Sequence, residues 1–239
     1  MLLKTEGIVL RTIKHRETSV ISDIYTSEKG LISVIANGVR KQKSRMSAAL
    51  FQTASLVDII IYYKETANLH RVKEIKISTP LFSIGEQIKK IAVAQFIAEI
   101  SQKTSRHHYP SPQLFLFIKN HLLKLEESSK PDSLQPLKFL LGLCPYLGIT
   151  PDFDLIENGF FDMKEGTTVL EQPNHPHFLS PEKTALLISI GKNISEAFSG
   201  INLEDRRVIL SAMLDYYKIH LDGMRELNSP EILRVVLEK

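Results

Sequence analysis

The spacing of apolar residues changes near Pro80, and this change limits the folds open to the chain more than any other feature. Before Pro80, apolar and polar residues alternate with period two and β-branched residues are frequent, which is typical of strands. After Pro80, Ile84, Ile88 and Ile91 recur at the spacing of one helix face. The sequence therefore predicts a two-domain α+β protein, with a β domain over residues 1–80 and a mostly α-helical domain over residues 81–239.

The first domain divides into five predicted strands separated by short, turn-rich breaks. The strands are predicted at Leu3–Thr12, Val20–Thr26, Leu31–Asn37, Ala54–Tyr63 and Arg71–Ser78. Five strands in so short a segment must avoid exposing their edges, and closing the sheet removes those edges. We therefore expect a small Greek-key barrel of the oligonucleotide/oligosaccharide-binding (OB) type.

The second domain shows helical periods interrupted by one irregular stretch. Helices are predicted through Ile84–Ile100, Leu114–Leu125 and Leu137–Leu147. Capping residues predict three further helix starts at Ser180, Asn202 and Ser229, with Gly200 and Gly223 placed to end the first two. Residues 149–179 have little period and predict an irregular insert containing a short hairpin within Phe160–Leu170.

Positive charge is concentrated in the first domain. Residues 1–80 carry thirteen Lys and Arg against seven Asp and Glu, whereas the rest of the chain has a net charge of −3. Four of these cations, Arg40, Lys41, Lys43 and Arg45, follow the third predicted strand in a loop. Arg11, Lys14 and Arg16 are assigned to the first inter-strand loop. Such cations neutralise phosphates without reading base sequence, although they also suit a solvated surface turn.

Two adjacent tyrosines offer a possible surface for base stacking. Because successive strand residues point to opposite faces, only one of Tyr62 and Tyr63 can face the barrel interior. The other would be exposed and could stack on a base. Simple packing near a sheet edge explains the same residues.

The sequence lacks the usual motifs of catalysis. The single cysteine, Cys144, lies in an apolar helix, and no nucleophile or phosphate-cradling motif occurs. His175 and His177 are too few to define a metal site, so a metal-dependent hydrolase remains a distant alternative. We expect no enzyme activity, no cofactor and no membrane span, and a cytoplasmic location.

Several short motifs, in order along the chain, carry a resemblance to a known family. They are Glu17-Thr18-Ser19, Tyr25 to Gly30, Val34 to Arg40, Leu137-Lys138-Phe139 leading to Tyr146-Leu147-Gly148, and Tyr217 through His220-Leu221 to Gly223. Together they resemble the RecO family of bacterial DNA repair proteins. The resemblance implies an OB-fold DNA-binding domain joined to a helical domain, with no catalytic turnover. It also implies that the cytoplasmic location is nucleoid-associated.

The same resemblance implies partners and positions. Members of the family bind single- and double-stranded DNA and anneal complementary strands. They work with RecR to help the RecA recombinase displace single-stranded DNA-binding protein, whose acidic C-terminal tail docks on the helical domain. Arg40, Lys41, Lys43 and Arg45 match the family's basic loop. Lys138 is a candidate contact for the acidic tail, although a lysine snorkelling from a core helix explains it equally well.

The insert departs from the family pattern. Many members have four zinc-binding cysteines after the central helix, whereas residues 149–179 contain no cysteine. Zinc is therefore not expected. The leading hypothesis is a DNA-binding recombination mediator, and the alternative is a protein-interaction scaffold whose barrel does not bind nucleic acid.

Overall fold

The chain forms two compact units, Met1–Pro131 and Asp132–Lys239. The structure is a computed structural model that describes residues 1–40, 46–105, 110–130, 132–153, 158–192, 201–224 and 226–237. Within these residues, the first unit contains a β-barrel and three α-helices, and the second contains four α-helices and a small sheet.

Five strands close into the barrel of the first unit. They are β1 (Leu2–His15), β2 (Ser19–Thr26), β3 (Gly30–Ala36), β4 (Leu56–Tyr62) and β5 (His70–Thr79), with a 3-10 helix, Ala48–Phe51, between β3 and β4. Their order around the barrel is β1-β2-β3-β5-β4. The β3–β5 pair is parallel and the others are antiparallel. The predicted α+β class, with an OB-type barrel followed by helices, is confirmed.

Alternate residues of the strands fill the barrel with aliphatic side chains. Val9, Ile24, Val34 and Ile59 have no exposed surface, and Phe51 of the 3-10 helix joins the same core. Each aliphatic side chain buried in this way stabilises the fold by about 1.5–3 kcal/mol. The stability of the barrel therefore comes mainly from its interior side chains, and many outward-facing side chains are not part of this core.

Three helices complete the first unit: α1 (Phe82–Glu86), α2 (Ile88–Thr104) and α3 (Pro112–Glu127). The predicted helix through Ile84–Ile100 is interrupted at Gln87, whose backbone is extended (φ −108°, ψ 114°). The carboxylate of Glu126 accepts hydrogen bonds from the backbone N–H groups of Ser83 and Ile84, both at 2.8 Å. This distant cap satisfies the start of α1 and explains why the helical pattern begins before the long helix does.

A fully buried lysine joins the same three helices. The Nζ of Lys90 in α2 donates to the Ser83 hydroxyl at 2.5 Å and to the backbone carbonyls of Glu126 and Ser128 at 2.9 and 2.6 Å. Those carbonyls lie at the end of α3, where no intrahelical donor remains. Lys90 therefore acts as a helix cap supplied from another helix.

The second unit contains α4 (Gln135–Leu147), α5 (Pro181–Gly191), α6 (Leu203–His220) and α7 (Ser229–Leu237). The starts predicted at Ser180, Asn202 and Ser229 are confirmed, and the Asn202 side chain accepts from the backbone N–H of Asp205 at 2.8 Å. Gly223 has φ +87° three residues after α6 ends, whereas Gly200 lies outside the described residues.

The insert folds into a small sheet of β6 (Phe160–Asp162), β7 (Thr167–Val169) and β8 (Phe178–Leu179). The predicted hairpin is β6 and β7, while β8 was not predicted. The hydroxyl of Thr184 in α5 accepts from the backbone N–H of Phe161 at 3.0 Å. The Tyr216 hydroxyl of α6 donates to the Ile149 carbonyl at 2.9 Å. The insert is therefore tied to two helices of its own unit.

Candidate nucleic-acid interface

One end of the barrel gathers cations from two separate segments. The Ser19 hydroxyl, at the start of β2, donates to Asn37 Oδ1 at 3.0 Å, just after β3. The backbone N–H of Arg40 donates to the Thr18 carbonyl at 3.2 Å. These bonds hold the segment after β3 against the β1–β2 turn. We call Lys14, Arg16 and Arg40, whose side chains are all exposed, the basic rim.

The assignment of Arg11 and Lys14 to an inter-strand loop is wrong, because β1 continues to His15. Arg11 pairs with Asp23 and Lys14 with Val20 in the β1–β2 register, so the turn spans only residues 16–18. A bulge between Val9 and Arg11 shifts the strand register at this point. The hydrogen-bonded ladder therefore extends through a segment whose charges suggest a loop.

Arg11 is the least available of these cations. It lies across from Asp23, whose carboxylate accepts from the Ser33 hydroxyl at 2.6 Å and from Gln102 Nε2 at 2.9 Å. The fixed negative charge beside Arg11 reduces the local positive potential. Arg11 therefore lies beside the basic rim rather than within it.

Arg16 occupies the turn with φ +51°, in the left-handed region. A non-glycine residue in this region costs on the order of 1 kcal/mol, so such a residue persists where another role retains it. The turn thus presents a cation at a position where glycine would be less strained.

No carboxylate of the described residues forms an ion pair, within 4.0 Å, with the cations of the basic rim. Within the described ranges, Arg11 likewise makes no ion pair. The remaining predicted DNA-contact residues, Lys41, Lys43 and Arg45, lie outside the described residues. They follow Arg40 directly in sequence, so the chain enters that segment from the basic rim.

The two adjacent tyrosines divide as the strand geometry requires. Tyr62 ends β4 with 51% of its surface exposed. Tyr63 packs against the barrel core, its ring 4.7 Å from that of His70, with the Lys29 ammonium 5.2 Å from its centroid. Tyr62 is therefore the exposed aromatic ring of the pair.

Lys138 lies near the start of α4, and its ammonium pairs with Asp132 Oδ2 at 2.7 Å. An incoming acidic peptide would therefore compete with an intramolecular carboxylate at this position.

An apolar groove of about 220 Å³ in the second unit was not predicted from the sequence. Pro136, Leu137, Leu210, Leu214 and Leu233 line it together with Arg206, Arg207 and Arg234. We call it the arginine groove. The Nε of Arg206 is buried with no hydrogen-bond partner in the described part of the chain. The amphipathic patterns of α6 and α7 were the available signal, but the groove exists only once these helices pack beside α4.

One of the two insert histidines, His175, makes a side-chain hydrogen bond within the sheet region. His175 Nε2 lies 3.2 Å from Asp162 Oδ2, while the other oxygen, Oδ1, accepts from the backbone N–H groups of Lys164 and Glu165.

Cys144 is buried, and burial raises the pKa of its thiol to about 11. Over the described positions, no group of three or more His, Cys, Asp and Glu side chains could hold a metal ion.

The closed five-stranded barrel, its basic rim and the helices that follow define an α+β protein of the OB-barrel class. None of the described helices is long and apolar enough to cross a membrane.

Comparison with known proteins gives the family. Residues 1–81 match the family model described as Recombination protein O N terminal, and residues 85–231 match Recombination protein O C terminal. The DNA repair protein RecO of Phocaeicola vulgatus is 33% identical over 238 residues, covering 98% of each chain. The same-named protein of Flavobacterium psychrophilum is 31% identical over 241 residues, covering 99% of each. The Bacteroides fragilis protein is 29% identical over the full length of both chains. The chain belongs to the RecO family of DNA repair proteins.

Proposed function

We propose that this chain is a non-catalytic recombination mediator. It binds single- and double-stranded DNA, anneals complementary strands, and helps to load the RecA recombinase onto DNA coated by single-stranded DNA-binding protein. RecR is its working partner in this scheme. The observation that carries the proposal is the basic rim, where exposed cations from two segments meet at one barrel end without ion pairs among the described residues.

The proposed DNA contacts are Arg40, Lys41, Lys43 and Arg45, supported by Lys14 and Arg16 and, more weakly, by Arg11. Lysine and arginine side chains neutralise phosphates and release condensed counterions without selecting a base sequence. Two strands bound to such a surface repel each other less, so complementary segments can sample pairing while they remain bound. Annealing in this scheme needs no bond to be made or broken by the protein.

The proposed binding site for the acidic tail of single-stranded DNA-binding protein is the arginine groove. Its leucines can bury an apolar chain end, and Arg206 offers a buried donor that has no partner within the described structure. A carboxylate placed there would form a charge-assisted hydrogen bond in an environment shielded from water. Lys138, adjacent to Leu137, could pair with a further tail carboxylate after releasing Asp132.

The decisive test is an annealing assay with complementary strands coated by single-stranded DNA-binding protein, run at two salt concentrations. The test variant carries Arg40→Ala, Lys41→Ala, Lys43→Ala and Arg45→Ala. The control variant removes the same charge from exposed lysines elsewhere, through Lys124→Ala, Lys130→Ala, Lys164→Ala and Lys192→Ala. If four phosphates are neutralised, the logarithm of wild-type affinity for a single strand should fall by roughly three per decade of salt.

We expect the test variant to lose annealing and most of this salt dependence, while the control variant retains both. Equal affinity of the wild type and the test variant at low salt would refute the assigned site. A mobility-shift titration showing no binding of single-stranded DNA by the wild type would instead favour the protein-interaction scaffold.

A further inference from the structure

A row of outward-facing residues winds around the barrel, and three of its members are large, exposed side chains. The strand registers give its members in order around the barrel: Leu2 (β1), Tyr62 (β4), Arg71 (β5), Ile35 (β3), Ile21 (β2) and Ile13 (β1). Leu2, Tyr62 and Ile13 are 50%, 51% and 44% exposed. We call this set the open row.

A neighbouring row shows what the barrel does with apolar side chains that it covers. Ile8 pairs with Leu56 on one side and with Tyr25 on the other, also on the outer face, yet these residues are almost fully buried. Helix α2 packs against β1 in this region, and Gln102 reaches Asp23 at 2.9 Å. The open row has a comparable apolar character but no such cover from the described residues.

Charge around the open row favours an anion. Arg71 lies across from Tyr62, Lys73 follows on β5, and Lys14 follows Ile13 into the basic rim. All three are exposed and without an ion pair among the described side chains.

The row on the far side of Tyr62 is closer to neutral. Lys4 and Glu74 lie on either side of Ile60, and beyond them Asp58 pairs with Lys76 at 3.4 Å. The positive excess therefore lies on the side of the open row that leads to the basic rim.

The geometry points to a base-stacking subsite at Tyr62, which accepts the unpaired bases of a single strand whose phosphates run past Arg71 toward the basic rim. The backbone of Tyr62 pairs with strands on both sides, so the ring projects from a fixed point of the barrel surface. Bases inside a duplex are already stacked and cannot reach it. The subsite deepens the proposed DNA binding, on which it rests, by giving one part of the surface a preference for single strands.

The absence of tryptophan from the chain allows a direct test. Tyr62→Trp places the sole indole of the protein in the subsite, and Phe82→Trp places one at a position that is 74% exposed in α1. Each variant is titrated with an oligothymidylate of about 12 nucleotides and with an abasic deoxyribose-phosphate strand of the same length. We expect oligothymidylate to quench Tyr62→Trp fluorescence, the abasic strand to quench it far less, and Phe82→Trp to change little with either.

Affinity measurements provide a second readout. We expect Tyr62→Ala to weaken single-strand binding about tenfold, with duplex binding and the salt slope unchanged, and Tyr62→Phe to bind within about twofold of wild type. Oligothymidylate binding without quenching at position 62, together with wild-type affinity in Tyr62→Ala, would overturn the subsite and leave the proposed DNA binding intact. Failure of the wild type to bind any DNA at low salt would overturn the subsite and the proposed function together.

Discussion

The two units hold their surface cations in different ways. On the barrel, Arg16 and Arg40 are exposed and have no carboxylate partner among the described residues. On the helices of the second unit, Arg207 pairs with Glu204 at 3.5 Å and Lys218 with Asp215 at 2.8 Å, each three positions earlier on the same helix. The barrel therefore presents an uncompensated positive field, whereas cations of the helical unit are locally neutralised.

This difference implies two kinds of binding. A polyanion gains at the barrel mainly by releasing counterions, and that gain falls steeply with salt. A ligand of the arginine groove must compete with Glu204 and Glu231 for arginines and gains more from burying apolar surface against leucines. Binding at the groove should therefore depend far less on salt.

The largest expected effect concerns Lys90, a cation of the first unit that is buried among helices rather than exposed on the barrel. Lys90→Met should lower the free energy of unfolding by about 3 kcal/mol, because it leaves two partly buried carbonyls at the end of α3 without their donor. The measurement is urea unfolding, with Lys89→Met as the matched control. An unfolding midpoint for Lys90→Met equal to that of the control would show that this network contributes little.

A second prediction distinguishes the units by pH. Burial, with a smaller contribution from the neighbouring Lys124, lowers the pKa of His121 in α3 from 6.5 to about 4. The unfolded state then takes up a proton before the native state does, so the first unit loses stability as pH falls from 6.5 to 4. Burial raises the pKa of Cys144 from 9.0 to about 11, so the second unit loses stability as pH rises through that window.

Each effect should be on the order of 2 kcal/mol. Hydrogen exchange resolved by segment measures the two units separately. His121→Gln should flatten the acid dependence of the first unit. Cys144→Ser should remove the part of the alkaline dependence of the second unit that begins near pH 9, whereas the buried Tyr216 and Tyr217, whose pKa values are raised, still contribute at higher pH. The division fails if one unit weakens first at both extremes.

The third prediction separates the arginine groove from the barrel. Arg206→Ala should weaken binding of an acidic, apolar-ended peptide about tenfold, because it removes a charge-assisted hydrogen bond shielded from water. Single-stranded DNA binding should change by less than about twofold. Lys218→Ala, on the same helix, is the control, and calorimetry measures both ligands. Equal losses in the two variants would indicate a general charge effect.

The smallest expected effect tests how much stability is lost through the strained backbone of Arg16 in the basic rim. Arg16→Gly relieves a backbone at φ +51° and should raise the free energy of unfolding by about 0.5 kcal/mol, while weakening DNA binding about threefold. Asn158→Gly, at φ +58° in the second unit, controls for the backbone effect and should leave DNA binding unchanged. If both variants bind DNA like the wild type, Arg16 is not a DNA contact.

Local patterns predicted most of the elements but not how distant residues combine. The strand period located the five barrel strands, and caps at Ser180, Asn202 and Ser229 located three helices. The break at Gln87 was missed because α1 is capped by Glu126, some forty positions away in sequence. Likewise, β8 has two residues, too few to show a period.

The candidate sites show the same limit. The charge cluster that begins at Arg40 is visible in the sequence, but the position of the Arg40 backbone beside the β1–β2 turn depends on a hydrogen bond to Thr18. The pattern predicts that the first strand ends at Thr12, before Lys14, whereas pairing with Val20 continues β1 to His15. The open row and the arginine groove join residues from separate elements, so neither has a signature in any one segment.

Closure of the barrel has a consequence for crowded conditions. Because β4 and β5 complete the ring with β1 and β3, each of the five described strands pairs on both sides over at least part of its length. Copies gathered along one nucleic-acid lattice would therefore meet mainly through side chains, which can separate again, rather than through the backbone pairing of a fully open strand, which seeds aggregation.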